Sequence, residues 1–325
     1  MTFERLLTTN ERRALAACHF CANEPISTLA KHAGLPRHVF QYAIDSLRER
    51  KLIHFSPSIN LFALGYQVHS LLFSLSTRKA DATARVRRFL KGARGVLFSV
   101  EHGGEFQFGV TLATKGLHDV EEFLAKLCTS SQVEIFQKQF VSHLNIIDFR
   151  ADYLFSGYKK GGARLLRMML STPREDIDAL DHLILAEISH GEQKNYSQIG
   201  RALDIPVTTV QFRIGRLQER NIIAGYRFLI ATHRLGVQRL WVALGLKSQS
   251  PRLVDALIDF CTRQKQVRYA SSCLGAWDFD IGFDGSDTVE QSVFIQGLYD
   301  EFSAHIVRAQ VSPIFDFLRV SPYPF

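Results

Sequence analysis

Apolar positions along the chain recur first at helical spacing and then in alternation, and this succession of periods is written twice. In the second half, Ile177, Leu180, Ile184 and Ile188 return every three to four residues and predict a helix. Ser197 to Leu203 predicts a second short helix with Ile199 and Leu203 inward. Asp204-Ile-Pro206 breaks the pattern, because proline disfavours helix at the residue before it and suits the first turn of the next helix. A third helix follows from about Val207 to Arg220, with Val210, Ile214 and Leu217 on one face. The first half repeats this with Ile26–Ala33, the break Gly34-Leu-Pro36, and a helix over Arg37–Arg50. Three helices with a tight turn between the second and third predict a helix-turn-helix. The segments Leu52–Asn60 and Ile222–Ala231 alternate weakly and are expected to form wings.

The period then changes. Leu240–Leu246 alternates as a strand, Arg252–Arg263 is an amphipathic helix, and Val267–Leu274 with Trp277–Phe283 reads as a hairpin. Thr288–Tyr299 predicts another helix and Ile306–Phe317 a last strand, giving the order β-α-β-β-α-β. Val68 to Phe149 repeats it. The two halves also coincide residue by residue. Gln41, Ile44, Leu47, Glu49, Arg50 and Ile53 match Gln211, Ile214, Leu217, Glu219, Arg220 and Ile223. Leu64-Gly65 matches Leu235-Gly236, and Gly104 to Phe108 matches Gly275 to Phe279, at a nearly constant offset. A period this long is a duplicated domain pair, not a solenoid. The expected fold class is α+β: two winged helix-turn-helix domains (1–65 and 177–236) alternating with two ferredoxin-like domains (66–150 and 237–325). Residues 151–176 form a linker in which Leu165–Leu170 is expected to be a short packed helix.

Composition narrows the picture without redirecting it. Of 325 residues, 46% are hydrophobic and 22% charged, as in ordinary globular proteins, which excludes a mainly disordered chain. No stretch approaches the roughly 18 uncharged apolar residues of a membrane span. The N-terminal stretch carries charge throughout, so no leader and a cytoplasmic location are expected. Five scattered cysteines read as reduced thiols. The net charge of +7 suits a polyanionic partner. Cys18-His-Phe-Cys21 has the spacing of a metal pair but no second pair nearby, and Cys261 and Cys273 sit at a helix end and on a strand, so buried thiols and no metal are expected. There is no phosphate-cradling glycine loop and no G-x-S-x-G. The histidines are mostly isolated, so no catalytic constellation or cofactor is read, and the chain is not expected to be an enzyme.

The layout and the residues Ile177-Asp-Ala-Leu-Asp181, Ile205 to Ile223, Ala224-Gly-Tyr226 and Gly275-Ala-Trp-Asp-Phe279 together resemble the Lrp/AsnC (feast/famine) transcription factors. Copy two matches over nearly its whole length, and copy one matches in layout but has drifted. Members of that family carry one copy and dimerise, so the resemblance implies a pseudo-dimer within one chain, with further assembly of chains left open. It implies a sequence-specific regulator of double-stranded DNA whose third helix enters the major groove, with Thr208, Thr209, Gln211, Arg213 and Arg216 outward in copy two. In copy one Arg37, His38 and Gln41 remain, but Asp45 would repel phosphate, so that copy reads DNA weakly, reads another half-site, or serves as scaffold. The resemblance further implies an effector pocket for an amino-acid-like molecule at Gly275, Ala276, Trp277 and Asp278, where an ordinary hairpin turn is the alternative. A different class stays open. Siroheme decarboxylases resemble the same family in fold and exist as paired or fused copies, and His102 beside Gly103-Gly104 is the one residue here that hints at them.

Overall fold

The computed structural model describes residues 6–190 and 193–325. Residues 1–5, where the charged N-terminal stretch begins, and 191–192 lie outside the described residues. Copy one opens with helices α1 (Thr9–Cys18), α2 (Ile26–Ala33) and α3 (Arg37–Glu49) and strand β1 (Ile53–Ile59). Then come β2 (Gln67–Leu75), α4 (Ala80–Gly92), β3 (Val96–His102), β4 (Phe108–Thr114), α5 (Leu117–Ser131) and β5 (Ile135–His143). Strands β6 (Asn145–Phe149) and β7 (Leu165–Met169) lie between the copies. Copy two contributes α6 (Ala179–Ile188), α7 (Tyr196–Leu203), α8 (Val207–Glu219) and β8 (Ile223–Ile230). Its second part is β9 (Gln238–Leu246), α9 (Pro251–Arg263), β10 (Val267–Gly275), β11 (Phe279–Gly285), α10 (Thr288–Phe302) and β12 (Ile306–Val320).

The helix-turn-helix breaks fall where the proline spacing puts them. The second helix of each copy ends on a left-handed residue, Gly34 (φ 63°) and Asp204 (φ 53°), and Pro36 or Pro206 begins the third. The wings are a correction. Each expected wing is a single strand, and β1 and β8 pair with each other antiparallel, from Ile53 opposite Ile230 onward. A lone strand leaves all its backbone N–H and C=O groups without a ladder partner, and in the duplicated chain the other copy pairs those along one edge. The apolar faces of both helical units merge around this ribbon into one core that includes Leu15, Leu47, Phe55, Ile214, Leu217 and Phe228.

The β-α-β-β-α-β order is present in both copies, but the two sheets join edge to edge. β3 pairs with β12 and β5 with β10 at the two seams, and β10 pairs with β11 within copy two. With the pairs β2–β4, β2–β5, β3–β4, β9–β11 and β9–β12, this closes a circuit of eight antiparallel strands. The outer faces pack beneath helices, copy two around Leu257, Phe279 and Leu298, and copy one around Phe73, Val86 and Leu127. Residues of opposite parity point inward and form a separate interior cluster of Leu72, Val100, Phe106, Trp241, Cys273 and Trp277.

The expected linker helix at Leu165–Leu170 is instead strand β7, paired with β6 from Asn145–Met169 to Phe149–Leu165. A six-residue apolar run does not distinguish helix from strand by periodicity, and the open edge of β6 decides. The glycines before it are packed: Gly161 N donates to Ala16 O at 2.9 Å, and Arg150 Nη1 donates to the carbonyls of Gly161, Gly162 and Ala163.

Candidate ligand site inside the barrel

An eight-stranded barrel is just wide enough to be filled by side chains or to hold one small ligand. Here Phe106, Trp277 and Leu72 fill part of the interior, and the rest is a cavity of about 550 Å³ running out to the β1–β8 ribbon. That volume lies within the usual range of ligand sites.

The cavity is not symmetric, although the frame is. Strand registers place Val68, Ser70 and Gly109 of copy one where copy two has Arg239, Trp241 and Asp280. Copy one in turn supplies His102 and His143, paired with Ile314 and Cys273 across the seams. Gly109 makes room for His102, since a Cβ there would lie 2.6 Å from His102 Nε2. Cations gather at the wall formed by copy two. Arg239 donates two hydrogen bonds to Asp284, at 2.6 and 2.8 Å. Asp284 is fully buried, also accepts from Tyr153 Oη at 3.0 Å, and lies 3.6 Å from Arg268. Arg227 of the ribbon pairs with Asp148 at 2.6 Å.

Among the described residues, Nε and Nη1 of Arg268 and Nε of Arg227 are buried donors on this wall with no hydrogen-bond acceptor, and the ring nitrogen Nδ1 of His102 is likewise without a hydrogen-bond partner. Buried donors are nearly always satisfied, so unsatisfied guanidinium N–H groups of two arginines beside a cavity suit a carboxylate-bearing ligand. The two histidines are uncharged there, because burial pushes His102 down to about 4 and His143 down to about 3. Burial pushes Asp280 up to about 7 and holds the Tyr269 phenol protonated.

The depressed His102 has a consequence for stability. Between its ordinary value near 6.5 and about 4 the unfolded chain binds a proton that the folded chain refuses, so stability is lost as the pH falls through that window. Replacing His102 by glutamine removes this contribution. Denaturant midpoints at pH 7.5 and pH 5 should show the variant gaining relative to the parent at the lower pH, and an unchanged gap would contradict a neutral buried His102.

Of the hairpin residues singled out in the sequence, only Trp277 lines the cavity. Asp278 accepts a hydrogen bond from Leu246 N at 2.7 Å, and Ala276 N donates to Phe140 O at 3.0 Å. Gly275 (φ 139°) allows β10 to approach β5, where a Cβ would meet Phe140 O at 2.4 Å. On α8, Thr208, Gln211 and Arg216 are exposed and Thr209 is half-buried. Arg213 is engaged elsewhere: it pairs with Asp178 and, at 3.1 Å, with Asp181, the capping pair at the start of α6. On α3, Arg37 and His38 are exposed, while Gln41 donates to both Asp45 oxygens at 2.9 and 2.8 Å. Arg213→Ala should therefore lower the melting temperature by loosening α8 from α6, and change the salt dependence of any DNA binding by less than one phosphate contact. A thermal melt together with a salt titration checks both.

Sequence reasoning did not find Arg227, Arg239, Arg268 or Asp280, which are far apart along the chain and lie in no motif. The one available signal was asymmetry between the copies, since charged residues in copy two replace small or apolar ones in copy one.

No family model matches the chain. An uncharacterised HTH-type transcriptional regulator of Pyrococcus furiosus is 27% identical over 105 residues, 32% of this chain and 68% of the relative. The proline dehydrogenase transcriptional activator of Rhizobium radiobacter is 26% identical over 123 residues, 37% of this chain and 78% of the relative. Among solved structures, the siroheme decarboxylase NirDL aligns over 98% of this chain and 94% of its own, with TM-score 0.64 and 12% identity. The same enzyme has been solved in complex with an iron-uroporphyrin III analogue, and that structure aligns with TM-score 0.63, 12% identity, over 97% of this chain and 93% of its own. The chain thus resembles the Lrp/AsnC regulators in a tandem-duplicated form, and over its full length it shares the fold of siroheme decarboxylase.

Proposed function

We propose that the chain binds a carboxylate-rich tetrapyrrole in the barrel cavity and acts on it as a decarboxylase of the siroheme type. The observation that carries this reading is the set of buried guanidinium donors of Arg227 and Arg268 that lack an acceptor among the described residues, beside a cavity of about 550 Å³. A tetrapyrrole of this class presents several carboxylates on a flat apolar ring, and the cavity offers cations on one wall and Leu72, Val100 and Phe317 elsewhere. The guanidinium groups hold ring carboxylates and fix which side chain faces the interior. Loss of CO2 from a ring acetate leaves a carbon that must take up one proton. Tyr269 lines the cavity with a phenol kept protonated by burial, and it can deliver that proton and recover it from solvent. The fold of NirDL supports this reading, as does its complex with an iron-uroporphyrin analogue.

The test is titration of the purified chain with iron uroporphyrin, followed by incubation with siroheme and mass analysis of the pigment. A saturable Soret shift at one pigment per chain, with mass losses of CO2, supports the proposal. No shift with any carboxylated tetrapyrrole overturns it.

A second reading is a DNA-binding regulator of Lrp/AsnC type. Its support is the exposed face of α8 at Thr208, Gln211 and Arg216 and the similarity to HTH-type regulators. Salt-sensitive retention of defined genomic fragments, lost in Arg216→Ala, would favour it. An amino-acid effector at Gly275–Asp278 belongs to this reading and would act through Trp277, the residue of the four that reaches the cavity.

A further inference from the structure

Three strands drawn from both copies bring His143 (β5), Cys273 (β10) and Asp280 (β11) together on the inner face of the barrel. All three are buried, and one ligand atom from each lies within 4.8 Å of the others. Cys273 Sγ is 3.4 Å from His143 Nδ1 and 3.9 Å from Asp280 Oδ1. Tetrahedral zinc, with bonds of about 2.3 Å to sulfur and about 2.0–2.2 Å to nitrogen and oxygen, separates its ligand atoms by about 3.3–3.6 Å. We propose that His143, Cys273 and Asp280 form a three-ligand site for a zinc-class divalent cation, with the fourth position open to the cavity.

The surroundings orient each ligand. His143 Nε2 lies 2.7 Å from Ser70 Oγ, which lies 2.9 Å from Thr111 Oγ1. Trp241 Nε1 donates to Asp280 Oδ2 at 3.3 Å, leaving the other carboxylate oxygen toward Cys273. Ser271 Oγ sits 2.6 Å from His143 Nδ1 and donates to Asn145 O. With its one hydroxyl proton given to Asn145 O, Ser271 accepts from His143 Nδ1 in the cation-free chain; binding moves that proton to Nε2, where it is donated to Ser70, and frees the Nδ1 lone pair for the cation. Charge also balances. A divalent cation with one thiolate, one carboxylate and a neutral imidazole is electrically neutral, which suits a dry interior. Ligation requires the thiolate and the carboxylate, so metal binding releases the thiol proton.

The site takes no part in the carboxylate contacts of the proposed tetrapyrrole reading, and its test uses no pigment, so the two can fail separately. The chelator-treated full chain is titrated with Co2+ alone and then with Zn2+. The expected result is one Co2+ per chain with thiolate-to-cobalt charge-transfer absorption, protons released to weak buffer, and displacement by zinc. Cys273→Ser should abolish that absorption, and Asp280→Asn and His143→Gln should each weaken zinc at least about tenfold. Cys18→Ser with Cys21→Ser should leave it unchanged. Absence of the absorption in the parent overturns the proposal, as does its persistence in Cys273→Ser. If Cys273→Ser does not fold, Cys273→Ala and the parent titration decide.

Discussion

Replacing Arg268 and Arg227 together by alanine is expected to weaken binding of iron uroporphyrin by about two to three orders of magnitude. A hydrogen bond to a charged group contributes about 1.5–3 kcal/mol, and each 1.4 kcal/mol is about a factor of ten in affinity. Both residues line the cavity, and each carries buried N–H groups with no hydrogen-bond acceptor among the described residues, so a carboxylate that draws them inward gains those bonds at little cost to the fold. Arg227→Lys keeps the charge but loses the fork, and should fall between the parent and Arg227→Ala. Arg213→Ala with Arg216→Ala, on the outer face of α8, should leave pigment binding unchanged. Pigment affinity by Soret titration, with circular dichroism as a control for folding, checks all of these. An unchanged affinity in the double alanine variant would remove the cavity wall from the binding site and with it the tetrapyrrole reading.

The second large effect is on stability. Asp284→Asn should destabilise the chain by about 3–5 kcal/mol, the usual cost of removing one partner from a buried ion pair. Asp284 is fully buried and accepts from Arg239 and Tyr153, with Arg268 at 3.6 Å. Asparagine has nearly the same shape, so the loss measures charge and not packing. Two buried guanidiniums would then repel each other across β9 and β10. A fall in the melting temperature of roughly 10 °C follows, at 2–4 °C per kcal/mol for large domains. A shift of a degree or less would mean that solvent reaches this wall freely. Asp284→Asn should also weaken the pigment less than Arg268→Ala does, because Asp284 holds the cations and does not face the ligand.

Much of the architecture was legible in the sequence, because it is local. Gly34 with Pro36, and Asp204 with Pro206, set the helix breaks, apolar spacing set the third helices, and the repeat announced two copies of one plan. Hairpin Gly275 was legible as a tight point, though its reason is the approach of Phe140 O from the other copy. What pairs with what was not legible. Backbone hydrogen bonding dictates that β1, β8 and the sheet edges find partners, but alternation carries no information about which strand supplies them. The ribbon and the closed barrel follow from having both copies in one chain. The cavity wall depends on that closure: His143 is separated from Cys273 and Asp280 by most of a repeat, and only the seam between β5 and β10 brings it to their hairpin. Arg213 likewise reads as an outward cation on the helix, and the start of α6 engages it instead. Spacing along a chain determines local periods and turns, whereas a site assembled from inward side chains of strands from both halves exists only once the sheet has closed.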